Sequence, residues 1–289
     1  MTQNKPLGPP WTVLKILEWT TQFFEKKNLD SPRLDAEILL ANVLKLERVM
    51  LYANFDRPME DLELATYKKA IKRRGANEPI AYITGTRGFW NFDFIVDSRV
   101  LIPRPDTERL VEIVLERIKP TTLGEGKIVD VGTGSGAIAV CLKSECLDAE
   151  VIGVDISEDA LDVARENAKT IGFDVDFKRS DLLQSCEGPF DIVVSNPPYV
   201  SEKDKAILSA DIIEHEPHLA LFAEDGLAIY RRLIPDAFSK LKSGGFIALE
   251  IGYDQGSKVV QLCSDSGFIN VELAKDYGDN ERVVSAFKP

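Results

Sequence analysis

The amino-acid sequence predicts an α/β protein with a mainly parallel, seven-stranded sheet, preceded by a small helical unit and a short β-hairpin. From Pro105 onward, short apolar runs alternate with helical stretches. These runs are almost continuously apolar, which is typical of parallel strands that helices cover on both faces. The first 80 residues instead place their apolar positions at helical spacing.

The N-terminal part, residues 1–80, is expected to form helices. Ser31 and Pro32 precede its second apolar run. We expect the serine side chain to cap that helix, with the proline in the first turn. A third helix is expected from Leu62 to Arg74. Residues 81–104 are rich in aromatic and β-branched residues, which predicts a hairpin that connects the two domains.

Residues 105–289 are expected to form one domain around the parallel sheet. Helices are expected between most strands, for example Glu158–Thr170 with Ser157 as its N-cap. The last two strands have only a short connection, which predicts an antiparallel hairpin at one edge of the sheet. The expected strands are Lys127–Val131, Val151–Asp155, Asp174–Arg179, Phe190–Ser195, Gly245–Ile251, Asn270–Lys275 and Arg282–Phe287.

Composition and charge exclude several classes of protein. The 47 acidic and 35 basic residues give a net charge of −12, which repels phosphate backbones, so we expect no direct sequence-specific nucleic-acid partner. The longest apolar run, Ala137–Leu142, is too short to span a membrane, and the N-terminus has no apolar signal core. Four cysteines without metal spacing and two histidines predict no metal site and reduced thiols in the cytoplasm.

A glycine-rich loop follows the first strand of the sheet, with glycines at 132, 134 and 136. Glycines allow a tight turn and let a ligand lie against backbone N–H groups at a helix N-terminus. The loop also fits the dinucleotide-binding fingerprint. Asp155, at the end of the next strand, can accept two hydrogen bonds from the hydroxyls of a ribose. NAD and S-adenosylmethionine both carry such a ribose, so these residues leave both open.

The turn Ser195-Asn196-Pro197-Pro198-Tyr199 follows the fourth strand at the same expected edge of the sheet. The Asn196 side-chain oxygen and the Pro197 carbonyl are two acceptors that can take both hydrogens of an –NH₂ group. They stabilise the positive charge that develops as its nitrogen attacks a methyl group. Tyr199 is expected to stack on the plane of the acceptor amide. This chemistry favours methyl transfer over hydride transfer, which would need a proton-transfer group.

Taken together, these motifs resemble an S-adenosylmethionine-dependent amino-methyltransferase. The stretches Gly85–Phe94 and Val100–Glu108 resemble more specifically the HemK/PrmC family, which methylates a glutamine side chain in peptide chain release factors. The similarity spans nearly the whole chain. It implies a Rossmann-like class I methyltransferase fold, S-adenosyl-L-methionine as cofactor, and the N5 nitrogen of a GGQ-type glutamine as acceptor, which would modulate translation termination.

Site residues follow from this resemblance. It implies that Asn196, Pro197 and Tyr199 are catalytic, and that these three together with Pro198 bind the substrate glutamine. The helical unit is implied to recognise the release factor, and the enzyme is expected to be a monomer. Leu182 stands where some family members have an aromatic residue. The implied cofactor-binding residues are Gly132, Thr133, Gly134, Ser135, Gly136, Asp155, Asp181, Leu182 and Asn196.

Other functions remain open at this point. A related branch methylates glutamine in a ribosomal protein, but it usually lacks the run Ile102–Glu108 found here. A nucleic-acid amino-methyltransferase uses a similar Pro-Pro turn, but the net charge of −12 disfavours it. An adaptor that only binds the cofactor would not need Asn196. The basic cluster Lys68–Arg74 is either a solvated helix end or a docking patch.

Overall fold

The computed structural model describes residues 11–118 and 124–289, except the side chains of residues 206 and 207. The chain forms two compact units. One runs up to Gly85 and includes Ala210–His215, and the other comprises Thr86–Ser209 and Glu216–Pro289. The three-part division at residues 80 and 104 stays a prediction. Within the described residues, no helix has the length and apolar composition that crossing a membrane requires.

The first unit is helical, as predicted. The Tyr67 hydroxyl crosses its core and donates to the Ala36 carbonyl at 2.9 Å. Pro32 lies in the first turn of the second helix, but the prediction that Ser31 caps it is wrong, because the serine side chain makes no capping hydrogen bond. The Ser31 backbone (φ −129°, ψ 60°) departs from the extended conformation that aims a capping hydroxyl at the first-turn amides. The helices are α1 (Val13–Lys26), α2 (Pro32–Leu44), α3 (Met50–Ala53), α4 (Asp61–Arg74), α5 (Ile80–Thr84) and α9 (Ala210–His215).

The predicted hairpin is present in the second unit as two antiparallel strands, β1 (Thr86–Phe89) and β2 (Phe92–Ile95). Phe89 and Phe94 bury their rings in the core beneath one face of the large sheet. The Asn167 side chain bonds both the N–H and the carbonyl of Ile95, at 2.7 and 3.0 Å. The hairpin is therefore anchored to the second unit by both apolar and polar contacts.

Seven strands form the large sheet in the order β5-β4-β3-β6-β7-β9-β8. All neighbouring pairs are parallel except those of β9, which runs antiparallel to both β7 and β8. The predicted edge hairpin is confirmed, with its second strand inserted beside β7. The strands are β3 (Lys127–Val131), β4 (Glu150–Asp155), β5 (Asp176–Arg179), β6 (Phe190–Ser195), β7 (Leu241–Glu250), β8 (Ile269–Lys275) and β9 (Glu281–Phe287).

The strand β7 begins four residues earlier than predicted. β7 was expected from Gly245, yet Leu241 already pairs with Phe190 of β6. A register shift between Phe190 and Ile192 accommodates the additional residues. The strand therefore continues through Gly244 and Gly245.

Helices cover both faces of the sheet, as the apolar strands predicted. Alternate residues of β3 point to opposite cores, Ile128 to one and Val129 to the other. Along the chain the order runs outward from β3 to β5 and then returns to β6 on the other side of β3. Ligands bind at such a reversal, beyond the carboxyl ends of the strands. The covering helices are α6 (Glu108–Ile118), α7 (Ala137–Glu145) and α8 (Glu158–Ile171) on one face, and α10 (Ala228–Lys240) and α11 (Gly256–Asp265) on the other.

Gly153 in β4 offers a test of how tightly this region is packed. A Cβ atom there would lie 2.6 Å from the Phe177 ring and 2.9 Å from Thr133 Oγ1. Gly153→Ala should therefore lower the free energy of unfolding by about 1–3 kcal/mol, measured by urea denaturation. Gly88→Ala is the matched control in a strand, because its Cβ would meet nothing closer than Asp93 Oδ1 at 3.6 Å. Equal stability of the two variants would contradict the packing argument.

Candidate active site

The glycine loop after β3 is held by bonds within the loop and to β4. The N–H groups of Gly132 and Thr133 donate to the Val154 carbonyl at 2.8 and 2.9 Å. Thr133 Oγ1 donates to Asp130 Oδ2 at 2.6 Å. Asp130 is fully buried, and burial raises the pKa of its carboxyl to about 7. The hydrogen bond between Asp130 and Thr133 therefore stabilises the loop conformation from its interior.

The three glycines of the loop have different roles. All have positive φ, 74° at Gly132, 55° at Gly134 and 81° at Gly136, a region that side chains disfavour. A Cβ added to Gly132 or Gly134 would meet nothing within 4 Å, whereas one at Gly136 would lie 3.1 Å from the Ala164 Cβ. The first two glycines thus leave bare backbone beside open space, and the third allows the loop to pack against α8.

Asp155 lies at the carboxyl end of β4 and faces this loop. Its Oδ2 accepts from the Gly134 N–H at 3.0 Å, and its Oδ1 accepts from the Ser157 N–H at 2.9 Å. Burial raises the pKa of its carboxyl, and these backbone donors oppose the rise. Each oxygen has a second lone pair. The carboxylate can therefore hold the loop and still receive two hydroxyl groups.

The Asn-Pro-Pro-Tyr turn is tied to the same place. Ser195 Oγ donates to the Val131 carbonyl at 2.6 Å, which joins the end of β6 to the end of β3. Asn196 Nδ2 donates to Thr107 Oγ1 at 3.1 Å. Within the described part of the chain, no donor bonds Asn196 Oδ1 or the Pro197 carbonyl. The turn thus presents two acceptor oxygens without an internal partner.

A cavity joins these elements and is lined by eight of the residues predicted for the site. Three other predicted residues, Thr133, Ser135 and Gly136, lie in the interior of the loop and do not line the cavity. Ser135 is 3% exposed, and its carbonyl accepts from the Asn167 side chain at 2.9 Å. The predicted residues that line the cavity are Gly132, Gly134, Asp155, Asp181, Leu182, Asn196, Pro197 and Pro198.

Tyr199 is also absent from the lining of this cavity. Its hydroxyl donates to Glu250 Oε1 at 3.4 Å, and burial raises the pKa of the tyrosine. Its backbone carbonyl accepts from Gln255 Nε2 at 2.9 Å. These contacts to Glu250 and Gln255 hold Tyr199 at the end of the turn. Its predicted stacking on an acceptor amide stays a prediction.

Several cavity residues were not predicted from the sequence. Ile156 directly follows Asp155, and Ser157 was expected only as a helix cap, so proximity along the chain was a usable signal. Ile229 and Arg232 lie on α10 and had no such signal. Arg232 forms an ion pair of 2.6 Å with Asp181. The far wall of the cavity therefore depends on how α10 packs.

Leu182 adopts a left-handed backbone conformation, with φ 52°. For a non-glycine residue this costs about 1–2 kcal/mol. Strain of this kind is concentrated at ligand sites. Together with Ile156 and Ile229, Leu182 provides an apolar lining. These side chains can cover the face of a purine ring without an aromatic residue.

The segment Ile102–Pro105 is held by a buried carboxylate. The side chain of Glu216 is 1% exposed. Its Oε2 accepts from the Ile102 N–H at 3.3 Å, and its Oε1 accepts from the Arg104 guanidinium at 2.5 Å. Arg104 thus supports the loop that leads into Thr107, the partner of Asn196.

Two sequence profiles match the chain, that of the PrmC N-terminal domain over residues 15–85 and that of the methyltransferase small domain over residues 108–226. A release factor glutamine methyltransferase from Chlorobaculum tepidum is 40% identical over 285 residues, 95% of this chain and 97% of the relative. One from Leptospira interrogans is 41% identical over 280 residues, 95% of this chain and 98% of the relative. The chain belongs to the release factor glutamine methyltransferase family.

Family membership confirms the resemblance found in the sequence. The fold prediction is confirmed by the sheet and by solved structures. A methyltransferase from Pyrococcus furiosus superposes with a TM-score of 0.53 at 18% identity, over 76% of this chain and 98% of that protein. At this identity the likeness concerns the fold, which is the Rossmann-like class I methyltransferase fold with a helical N-terminal part.

The residues present fit S-adenosyl-L-methionine. Bare backbone at Gly132 and Gly134 borders open space where a cofactor can approach closely. The Asp155 carboxylate suits the two hydroxyls of a ribose, and Leu182 belongs to an apolar part of the lining that suits a purine face. Asn196 borders the same cavity.

Proposed function

We propose that this protein transfers a methyl group from S-adenosyl-L-methionine to the side-chain amide nitrogen, N5, of the GGQ-type glutamine in peptide chain release factors. The observation that carries the proposal is a pair of acceptors, Asn196 Oδ1 and the Pro197 carbonyl, that no described residue bonds and that lie beside a cavity that suits the cofactor. The relatives named release factor glutamine methyltransferases support the choice of substrate.

The two acceptors act on a weak nucleophile. S-adenosyl-L-methionine supplies an electrophilic methyl group on a sulfonium. Asn196 and Pro197 bind the two amide hydrogens of the substrate glutamine, which aims its nitrogen at that methyl group and stabilises the charge that develops on the nitrogen. Alignment of the reacting atoms provides much of the remaining rate enhancement. Pro198 stiffens the turn, because its ring restricts the backbone.

Binding of the cofactor is assigned to the opposite side of the cavity. Asp155 receives the ribose hydroxyls, and Asp181 and Leu182 lie where the adenine is expected. Thr133, Ser135 and Gly136 act indirectly by shaping the loop. As the N–C bond forms and the S–C bond breaks, the sulfonium would leave as a neutral thioether, and the substrate nitrogen would release one proton to water. No side-chain base is needed in this scheme, because the amide proton becomes acidic only once the new N–C bond has begun to form.

Recognition of the release factor is assigned to the helical unit, residues 1–80. The basic cluster on α4 is partly neutralised within that unit, since Arg73 pairs with Glu78 at 2.5 Å and Arg74 with Asp35 at 2.7 Å. Lys68, Lys69 and Lys72 are exposed and available to an acidic partner surface.

We also propose that the enzyme acts as a monomer on a protein substrate without sequence-specific contact to nucleic acid. The net charge of −12 supports this choice, because it disfavours binding to a phosphate backbone. Release factors act on ribosomes, so we place the enzyme in the cytoplasm.

A single labelling experiment tests the substrate. The purified protein is incubated with isotopically labelled S-adenosyl-L-methionine and, in separate reactions, with release factors, ribosomal proteins and ribosomal RNA. Mass spectrometry then locates the label. We expect one methyl group on the glutamine of the release factor. Label on a ribosomal protein or on RNA, with none on the release factors, would overturn the proposal in favour of the corresponding alternative.

A further inference from the structure

The end of the Asn-Pro-Pro-Tyr turn is held by a residue that the proposed chemistry does not use. Gln255 lies at the start of α11 and is 8% exposed. Its Nε2 donates to the Tyr199 carbonyl at 2.9 Å and to the Gly226 carbonyl at 3.1 Å. Its Oε1 accepts from the Gly252 N–H at 3.0 Å. One buried side chain therefore joins the acceptor turn to the segments that precede α10 and α11.

These hydrogen bonds fix the orientation of the Gln255 amide. Both hydrogens of Nε2 point to carbonyl oxygens, which only accept, and Oε1 meets an N–H group, which only donates. The opposite orientation would place oxygen against oxygen at the Tyr199 and Gly226 carbonyls and would lose all three bonds. Buried polar groups left without partners are costly, so the amide is held in one orientation.

The sequence of the turn limits the hydrogen bonds that it can make. Pro197 and Pro198 have no N–H group, so neither can donate a backbone hydrogen bond. The first end of the turn is held by Ser195, whose hydroxyl joins the end of β6 to the end of β3. The other end is held at the Tyr199 carbonyl by Gln255. The Pro197 carbonyl, one of the two proposed acceptors, lies between these fixed points, so its direction depends on both.

Gly226 leaves the space that this contact needs. Its φ is 79°, and a Cβ atom there would lie 2.8 Å from both Gln255 Nε2 and the Tyr199 carbonyl oxygen. A side chain at this position would therefore displace either the amide or the end of the turn. On its other side, Gln255 is anchored by α11, in which Val259 and Cys263 are fully buried. The glutamine thus ties the end of the turn to a packed helix.

We propose that Gln255 is a positioning residue, which directs the Pro197 carbonyl toward the substrate amide by holding the Tyr199 end of the acceptor turn. The proposal rests on the proposed function, since it concerns the same pair of acceptors. Gln255 does not line the cavity, so it acts on the substrate only through the turn. Its removal frees the end of the turn by a limited amount, because the Val200 N–H still donates to the Leu221 carbonyl at 3.0 Å.

Nuclear magnetic resonance tests the contact without any substrate. Tyr199 and Val200 form the only Tyr-Val pair in the sequence, so protein with ¹³C-carbonyl tyrosine and ¹⁵N valine gives one carbonyl-edited signal, that of the Tyr199 carbonyl. We expect this resonance to move upfield in Gln255→Leu and Gln255→Glu, because both variants lose the amide donors. It should stay in place in Gln261→Leu, a control on the same helix whose side chain donates to Asp265 at 2.7 Å. An unchanged resonance in Gln255→Leu would overturn the proposal.

Kinetics of release factor methylation test the consequence. Gln255→Leu should lower kcat by about 10- to 100-fold, because the acceptor is misaligned. The Kd of S-adenosyl-L-methionine should be nearly unchanged, since the fully buried Leu233 and Ile234 keep α10 packed at the cofactor side. Gln255→Glu should be impaired as well. It retains an oxygen for the Gly252 N–H, so a role confined to the loop before α11 would leave it active. Gln261→Leu should have wild-type kinetics.

The outcomes separate this inference from the function on which it rests. Wild-type protein that methylates no release factor would defeat the proposed function, and the carbonyl resonance would still decide whether Gln255 holds the turn. Active wild-type protein with an equally active Gln255→Leu variant would defeat the positioning role alone, as would equal losses of kcat and of cofactor affinity. If circular dichroism shows that Gln255→Leu does not fold, Gly226→Ala tests the same contact, because its Cβ displaces it. Wild-type kinetics in that variant would refute the proposal, and a lower kcat with retained Kd would support it.

Discussion

Asn196→Ala should reduce kcat for glutamine methylation by about 100- to 1,000-fold, the range seen when one group that stabilises developing charge is removed. The variant loses one of two acceptors for the substrate –NH₂ group, so its nitrogen is neither aligned nor stabilised as it becomes positive. Cofactor affinity should change little, because Asn196 is only one residue of the cavity wall. Transfer of labelled methyl groups and isothermal titration calorimetry measure the two effects on the same preparation.

The result that would contradict this assignment is a loss of cofactor affinity as large as the loss of kcat. Asn196 would then be mainly a cofactor-binding residue, and the acceptor pair would have to be elsewhere. Circular dichroism on the variant excludes unfolding as the cause. The side chain is half-buried and its removal breaks one described hydrogen bond, to Thr107, so the fold should be retained.

Asp155→Ala should have the opposite effect, with a large loss of cofactor affinity and a small loss of kcat. Its carboxylate is assigned to the two ribose hydroxyls, and hydrogen bonds to a charged group contribute about 1.5–3 kcal/mol. We expect the Kd of S-adenosyl-L-methionine to rise by roughly 10- to 150-fold. At saturating cofactor, kcat should recover much of its wild-type value, because the acceptor side of the cavity is unchanged.

Asp159→Ala is the matched control for this prediction. Asp159 is an exposed acid in the first turn of α8, close to Asp155 along the chain, and it does not line the cavity. If both variants weakened cofactor binding equally, the effect would come from the change in net charge, and the ribose assignment of Asp155 would fail.

Local signals along the chain were enough to predict the sheet and the loops at its carboxyl edge. The strands β3 and β6 have the predicted bounds, because buried parallel strands are short apolar runs that end in glycine or proline. Gly132, Gly134 and Asp155 line the cavity for the same reason, since each lies within a few residues of a strand end. Where strands are parallel, their ends meet at one edge.

Positions far apart in the chain were decided by packing. Thr107 and Asn196 are 89 residues apart. The residue pattern of neither segment predicts a contact with the other. The Tyr199 hydroxyl meets Glu250, 51 residues away, a contact that the sequence did not predict. Hydrogen bonds between strands and loops of different sequence position depend on strand order, which local propensity does not encode.

The difference between what the sequence predicted and what packing decided has a physical basis. Backbone preferences and apolar periodicity act over a few residues, so they determine where strands end, which turns carry glycine or proline, and what chemistry those turns offer. The direction of a buried side chain depends on the groups that surround it after the sheet has assembled. The residues of the acceptor turn were therefore predictable from the sequence alone, whereas the contact between Thr107 and Asn196 exists only in the folded protein.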